Sequence, residues 1–162
     1  NSKGFIDTQD HWAKDAIDFV SARGLVNGMS ATIYAPNAST TRAQLWTILA
    51  RQNDADLTGG ASWYEKAQAW AKDKGVSDGA DPNGAITRTQ MVTMLYRAAG
   101  SPEVSITTTF TDVPADSYYA KAVAWAVENG ITAGVGGGRF DPNSTCTRAQ
   151  IATFLYRLYL SR

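Results

Sequence analysis

Three arginines stand in the same place in three copies of one short stretch: Thr41-Arg42-Ala43-Gln44, Thr87-Arg88-Thr89-Gln90 and Thr147-Arg148-Ala149-Gln150. A guanidinium is a planar fork of N–H donors that can hold both oxygens of a carboxylate or phosphate. The residues around it spell a helix start. The Thr hydroxyl can accept the N3 backbone N–H, and the N3 Gln can reach back to the cap residue. A helix's first turn favours acids, because its orphan N–H groups and the macrodipole make that end positive. Arg42, Arg88 and Arg148 therefore sit against an unfavourable field, at roughly 0.3–1 kcal/mol each where exposed. Two readings stand open. The N–H groups and the guanidinium converge on an anion, or the Arg lies along the surface and packs through its stem.

Other chemistry is sparse. His11 and Cys146 are the only residues of their types. There is no nucleophile elbow, P-loop or metal-ligand cluster, and Asp15, Asp18 and Asp54 form no paired-carboxylate constellation. Catalysis, a bound metal and a cofactor are not expected. His11 reads as a helix-start residue, and Asp7 and Asp112 as residues that cap or brace a turn rather than hold a metal. Asp81-Pro82-Asn83 and Asp141-Pro142-Asn143 are turn chemistry rather than a calcium loop. Cys146 precedes the cap Thr147 with Ile151 at N4, as Ile86 and Met91 flank Thr87. That is a hydrophobic staple, so the thiol is structural. With 15 Lys+Arg against 15 Asp+Glu, broad attraction to nucleic acid is not expected. Neither is membrane insertion, because no apolar run is long enough to span a bilayer, and residues 1–4 are not a secretory leader.

The elements that must position the arginines follow from the spacing of apolar residues. Leu45, Ile48 and Leu49 follow the first cap, Met91, Met94 and Leu95 the second, and Ile151, Phe154 and Leu155 the third. Each set paints one stripe on a helix, and each helix carries a later Arg: Arg51, Arg97 and Arg157. Upstream of each stands another helix. Trp12, Ala16, Phe19 and Val20 have helical spacing, and Gly24 stops them; Tyr118, Ala122, Trp125 and Gly130 repeat the pattern. Trp12 precedes Thr41 by the same 29 positions as Tyr118 precedes Thr147, which marks an internal repeat. The middle copy keeps Ala67, Trp70 and Gly75, with Ser62-Trp63-Tyr64-Glu65 as the box for its first helix, but lacks five residues of loop and the Phe-x-Asp opening. The fold expected is all-α: helix–loop–helix repeats over 5–52, 62–98 and 110–158, forming one pseudo-threefold bundle. The second helices lie in the centre, and the aromatic residues of the first helices pack outside that core. Short β pairings are conceivable at Ile33-Tyr34 and Arg139-Phe140.

The chain resembles the S-layer homology family. The likeness rests on Phe5-Ile6-Asp7 and Phe110-Thr111-Asp112, the His11-Trp12-Ala13 helix start, the Gly-ended first helices, the loops to an aromatic and a Pro, and the three Thr-Arg-x-Gln stretches. It spans Phe5 to about Arg157. The resemblance implies a pseudo-trimeric module that anchors a longer exported protein non-covalently to the bacterial cell wall. The implied ligand is a secondary cell wall polysaccharide bearing pyruvate ketals, held in grooves between repeats. Arg42, Arg88 and Arg148 would then contact the carboxylate. Gly28, Gly79 and Gly134 would let a sugar approach the backbone, and Trp12, Trp63 and Tyr118 would offer ring faces; the same glycines read equally as turn residues and the aromatics as core. All three motifs end in Gln where the family has Glu, which keeps the cap bond and removes a charge. The short middle loop should make the grooves unequal, with those built on the full loops of repeats one and three the better ligand sites. The rival function is a protein-binding or self-assembling scaffold at the cell surface.

Overall fold

A computed structural model describes residues 5–26, 30, 32–53, 55–58, 64–104, 110–114, 116–132 and 138–160. Six helices carry them: α1 (Lys14–Ala22), α2 (Arg42–Gln52), α3 (Glu65–Asp73), α4 (Arg88–Ala98), α5 (Ala120–Glu128) and α6 (Arg148–Leu160). The bundle is all-α, with α2, α4 and α6 as its buried heart. Leu45, Trp46 and Leu49 of α2, Met91 and Leu95 of α4, and Ile151 and Leu155 of α6 are among the largest fully buried side chains.

The second helices begin as their sequences require. Thr41 Oγ1 accepts the Gln44 N–H at 3.2 Å while Gln44 Oε1 accepts the Thr41 N–H at 2.9 Å. Thr87 with Gln90 and Thr147 with Gln150 repeat both bonds. The residues before these caps, Thr40, Ile86 and Cys146, are buried and join backbones in a closed ring. Thr40 N–H donates to the Cys146 carbonyl (3.1 Å), Cys146 N–H to Ile86 (2.9 Å), and Ile86 N–H to Thr40 (2.8 Å). The short antiparallel bridges among the described residues include three that flank this ring, pairing Ser39 with Thr147, Thr41 with Ala85 and Thr87 with Thr145; Arg139 is a bridge residue as well, whereas Ile33 and Tyr34 are not.

The first helices end as read. Gly24, Gly75 and Gly130 take φ of 70°, 71° and 71°, the left-handed turn that glycine adopts without penalty at C′. Their starts differ from the sequence reading. Helix α1 begins at Lys14, so Trp12 lies ahead of its buried stripe and is 67% exposed. Helix α3 begins at Glu65 with Tyr64 at its cap and no side-chain cap bond; Ser62 and Trp63 lie outside the described residues. His11 lies two residues ahead of the Ala13 cap of α1: its Nδ1 accepts the Ala13 N–H at 3.1 Å, and its Nε2 stands 3.2 Å from Asn37 Oδ1.

Each first helix packs on the second helix of the preceding repeat, not of its own: α3 on α2, α5 on α4, and α1 on α6, which closes the circle. The aromatics of the first helices follow that exchange. Phe19 meets Tyr156 at 5.0 Å between ring centroids, and Trp125 meets Tyr96 at 5.7 Å. Trp125 is buried within the core, whereas Phe19 and Trp70 are half-buried against it. The expectation that first-helix aromatics lie outside the core is thus corrected at Trp125, because the incoming helix lays it against α4.

Candidate functional site

The helix starts that carry Arg42, Arg88 and Arg148 face the loop of the next repeat. The Arg42 and Ala43 N–H groups donate to the Gly84 and Pro82 carbonyls, both at 3.0 Å. Arg88 and Thr89 donate likewise to Ser144 and Pro142, and Arg148 and Ala149 to Ala38 and Pro36. With the capping box, the cap, N1, N2 and N3 N–H groups of all three helices are bonded within the protein. The orphan donors that make a helix start an anion site are therefore used to join repeats. Of the two readings left open by the sequence, the one in which these N–H groups and the guanidinium share an anion is left with the guanidinium alone, because the N–H groups are already bonded.

The guanidiniums extend the same joint. The Nε–H of Arg42 donates to the Ala80 carbonyl at 2.7 Å, that of Arg88 to Phe140 at 2.9 Å, and that of Arg148 to Tyr34 at 2.8 Å. The receiving residue stands two before Pro82, Pro142 or Pro36, and the one between takes a positive φ: Asp81 52°, Asp141 63°, Ala35 59°. That left-handed kink turns the receiving carbonyl toward the incoming helix. Asp7 braces it in repeat one, accepting the Tyr34 and Ala35 N–H groups at 3.0 and 2.8 Å, and Asp112 does the same for Phe140 and Asp141 at 2.8 Å each. Partial burial pushes both carboxyls up, but these N–H bonds outweigh it and hold them below the usual carboxylate value.

The three arginines differ in access. Arg88 and Arg148 are 5% and 8% exposed. Arg88 lies over Phe140 (4.7 Å) and Phe154 (5.8 Å), and Arg148 over Tyr34 (4.5 Å). Burial lowers the pKa of each, with nearby groups acting the other way, and the starting value leaves both charged at neutral pH. Both guanidiniums are thus buried between a loop carbonyl and an aromatic ring rather than lying along the surface. Arg42 is half-buried, and its NH2 also donates to Ser77 Oγ (3.2 Å) and to the Asp78 carboxylate (3.0 Å).

Arg42 opens into a cavity of about 410 Å³ assembled from three repeats. Val76, Ser77 and Asp78 of the shortened loop form one wall, and Gln90, Thr93, Met94 and Arg97 of α4 another. Tyr118 of the third repeat, 69% exposed, closes the side. Arg97 sits at the helix's far end with one long bond among the described residues, NH1 to the Val76 carbonyl at 3.5 Å. Its counterparts Arg51 and Arg157 make the same kind of contact with Leu25 and Ile131. Spacing alone exposed this second arginine set but gave it no role. Gly79 has a φ of 77° and its carbonyl accepts from Gln68 at 2.7 Å; it shapes the loop without lining the cavity. Gly28, Gly134 and Trp63 lie outside the described residues. Cys146 is buried, and burial pushes its thiol up to about 12, with Arg88 partly opposing. Among the described residues no group of three or more His, Cys, Asp or Glu side chains is placed to hold a metal. No helix there is long and apolar enough to cross a membrane.

A closed array of three two-helix repeats, joined cap to loop around an axis, defines a repeat module with clefts at its seams. The S-layer homology domain model matches residues 4–45 and 109–152, the first and third copies. The chain is 35% identical to an amylopullulanase of Thermoanaerobacterium thermosulfurigenes over 96% of its own length and 9% of that protein's. It is 32% identical to exoglucanase XynX of Acetivibrio thermocellus (95% of this chain, 16% of that protein). It is 28% identical to S-layer protein sap of Bacillus anthracis (90% and 20%). The chain belongs to the S-layer homology family, and this places it at the bacterial cell wall or S-layer. It spans no more than a fifth of these relatives.

Proposed function

We propose that this chain is a cell-wall anchoring module that holds an anionic, pyruvylated secondary cell wall polysaccharide in its inter-repeat grooves, as one part of a longer exported protein. The chain itself carries no catalytic role in this reading; relatives named for glycan hydrolysis are far longer than the segment they share with it. The observation that carries the reading is the cavity at the seam of repeats one, two and three, where Arg42, Gln90, Arg97 and an exposed Tyr118 meet against the shortened loop of repeat two, not the full loops preferred from the sequence. A guanidinium pair suits a ketal carboxylate, amide and hydroxyl groups suit sugar hydroxyls, and an exposed ring suits the apolar face of a pyranose.

Calorimetric titration with purified wall polysaccharide, native and stripped of its ketals, tests this. Binding to the native glycan alone, weakened by Arg97→Ala, is the expected result. Equal binding to both preparations would sink the carboxylate account, and no binding would favour a protein-binding scaffold instead.

A further inference from the structure

Threefold repetition allows each groove to be compared with the other two. Counting from Gly24, Gly75 and Gly130, the second residue on is Val26, Ser77 or Thr132, and the third is Asn27, Asp78 or Ala133. Ser77 Oγ and Thr132 Oγ1 each accept from the arginine of the incoming helix, at 3.2 Å from Arg42 and 3.4 Å from Arg88. Only the middle repeat, whose loop is five residues shorter, has a carboxylate next in line.

That carboxylate is placed. Asp78 Oδ1 accepts the Ala80 N–H at 2.9 Å, which folds the side chain back over its own loop, and the same oxygen meets Arg42 NH2 at 3.0 Å. Ala80 also supplies the carbonyl that binds Arg42 Nε. The loop thus presents Arg42 with a backbone carbonyl, a hydroxyl and a carboxylate within four residues. The Asp78 side chain is nonetheless 76% exposed against 11% for Arg42, so a solute can displace it without unfolding the loop. Arg97, the other cation of this cavity, has no ion-pair partner among the described residues.

We propose that Asp78 is an internal competitor for the acidic group of the ligand at Arg42, so that this groove admits anionic glycans more weakly than its charge alone would allow. This rests on the function proposed above. It makes Asp78 a specificity-determining residue: the cavity accepts sugar hydroxyls freely and takes a carboxylate at Arg42 only by exchange. It also gives a physical source for inequality among the grooves, because the shortened loop carries its own anion.

The test uses free pyruvate as the deciding probe and the wall glycan as a second. Binding is followed by NMR of the Arg42 Nε–H and the Tyr118 ring, which report this groove alone. Asp78→Asn keeps the oxygen that accepts the Ala80 N–H and removes the charge. It is expected to tighten pyruvate at Arg42 about five-fold, corresponding to about 1 kcal/mol, the upper value for an exposed ion pair. Adding Arg42→Ala should abolish that gain. Unchanged or weaker pyruvate binding in Asp78→Asn would overturn the proposal, because it would make Asp78 neutral or a direct ligand contact. If pyruvate tightens as expected and the wall glycan binds neither form, the competitor stands and the polysaccharide reading falls.

Discussion

Replacing Arg88 with alanine is expected to damage the fold, whereas the same change at Arg42 should leave it nearly intact. Arg88 is 5% exposed, its Nε–H satisfies the buried Phe140 carbonyl at 2.9 Å, and its guanidinium fills the space over the Phe140 and Phe154 rings. Stranding that carbonyl costs about 1–3 kcal/mol. Emptying a packed site of this size costs a further 2 kcal/mol or so by analogy with large-to-small core changes, and the two overlap. A loss of about 3–5 kcal/mol is a large share of the roughly 5–15 kcal/mol that stabilises a domain. Arg42 instead bonds a solvent-reached loop and an exposed Asp78, so its removal should cost under about 1 kcal/mol. Urea denaturation followed by circular dichroism measures both. With a slope near 2 kcal/mol/M, Arg88→Ala should lower the midpoint by about 2 M and Arg42→Ala by about 0.5 M or less. Arg88→Met, which keeps the stem but not the donors, should fall between. Equal midpoints for the two alanine variants would refute the assignment of Arg88 to the joint. The outcome bears on function directly, because lost glycan binding in Arg88→Ala would then report unfolding rather than a missing contact.

Other outcomes follow from the same geometry. Tyr34 Oη is buried with no partner among the described residues, and repeat one's Tyr34 stands where repeat three has Phe140, so Tyr34→Phe should stabilise the fold by about 1 kcal/mol, read as a higher urea midpoint. Ala35 holds a φ of 59°; Ala35→Gly relieves a left-handed strain of about 1–2 kcal/mol and should raise the melting temperature despite the added chain entropy. Burial holds the Cys146 thiol up near 12 against an ordinary 9.0. The unfolded thiol therefore ionises first as pH rises, so its effect is nil below pH 9 and stability falls between 9 and 12, by about 1.4 kcal/mol per unit. Cys146→Ala should flatten that limb in melts across this range. Gln44→Glu keeps the acceptor for the Thr41 N–H and adds a charge suited to a helix start, for a gain of about 0.3–1 kcal/mol that disappears below pH 4.

Much of this was legible in the residues themselves. The capping boxes, the apolar stripes, the C′ glycines and the bracing role of Asp7 and Asp112 are local, and local chemistry repeats wherever its letters repeat. The exchange of first helices between repeats was not. The stripes of α1, α3 and α5 specify a buried face without naming the helix that buries it, and the loops allow either partner. The fate of the helix-start N–H groups was hidden for a related reason: their acceptors are backbone carbonyls of Pro36, Pro82 and Pro142 and their neighbours, and a carbonyl has no letter of its own. The Asp-Pro-Asn turns marked the place, but only the assembled ring shows that they receive a neighbour's helix. Arg97 and its counterparts were visible as a pattern, and their contact with a first helix's end depends on packing that spacing does not encode.

The pairing of α1 with α6 has a mechanical consequence. Both ends of the described chain belong to the one seam that closes the circle, where α1 packs on α6 and the Thr40–Cys146 link joins repeats one and three. Tension applied through either end would load that clasp before it reached the two remaining seams. An anchor built so gives way as a unit: once the clasp parts, the ring that shares strain among three repeats is gone. Single-molecule pulling from the two termini should accordingly show one dominant rupture rather than three equal steps.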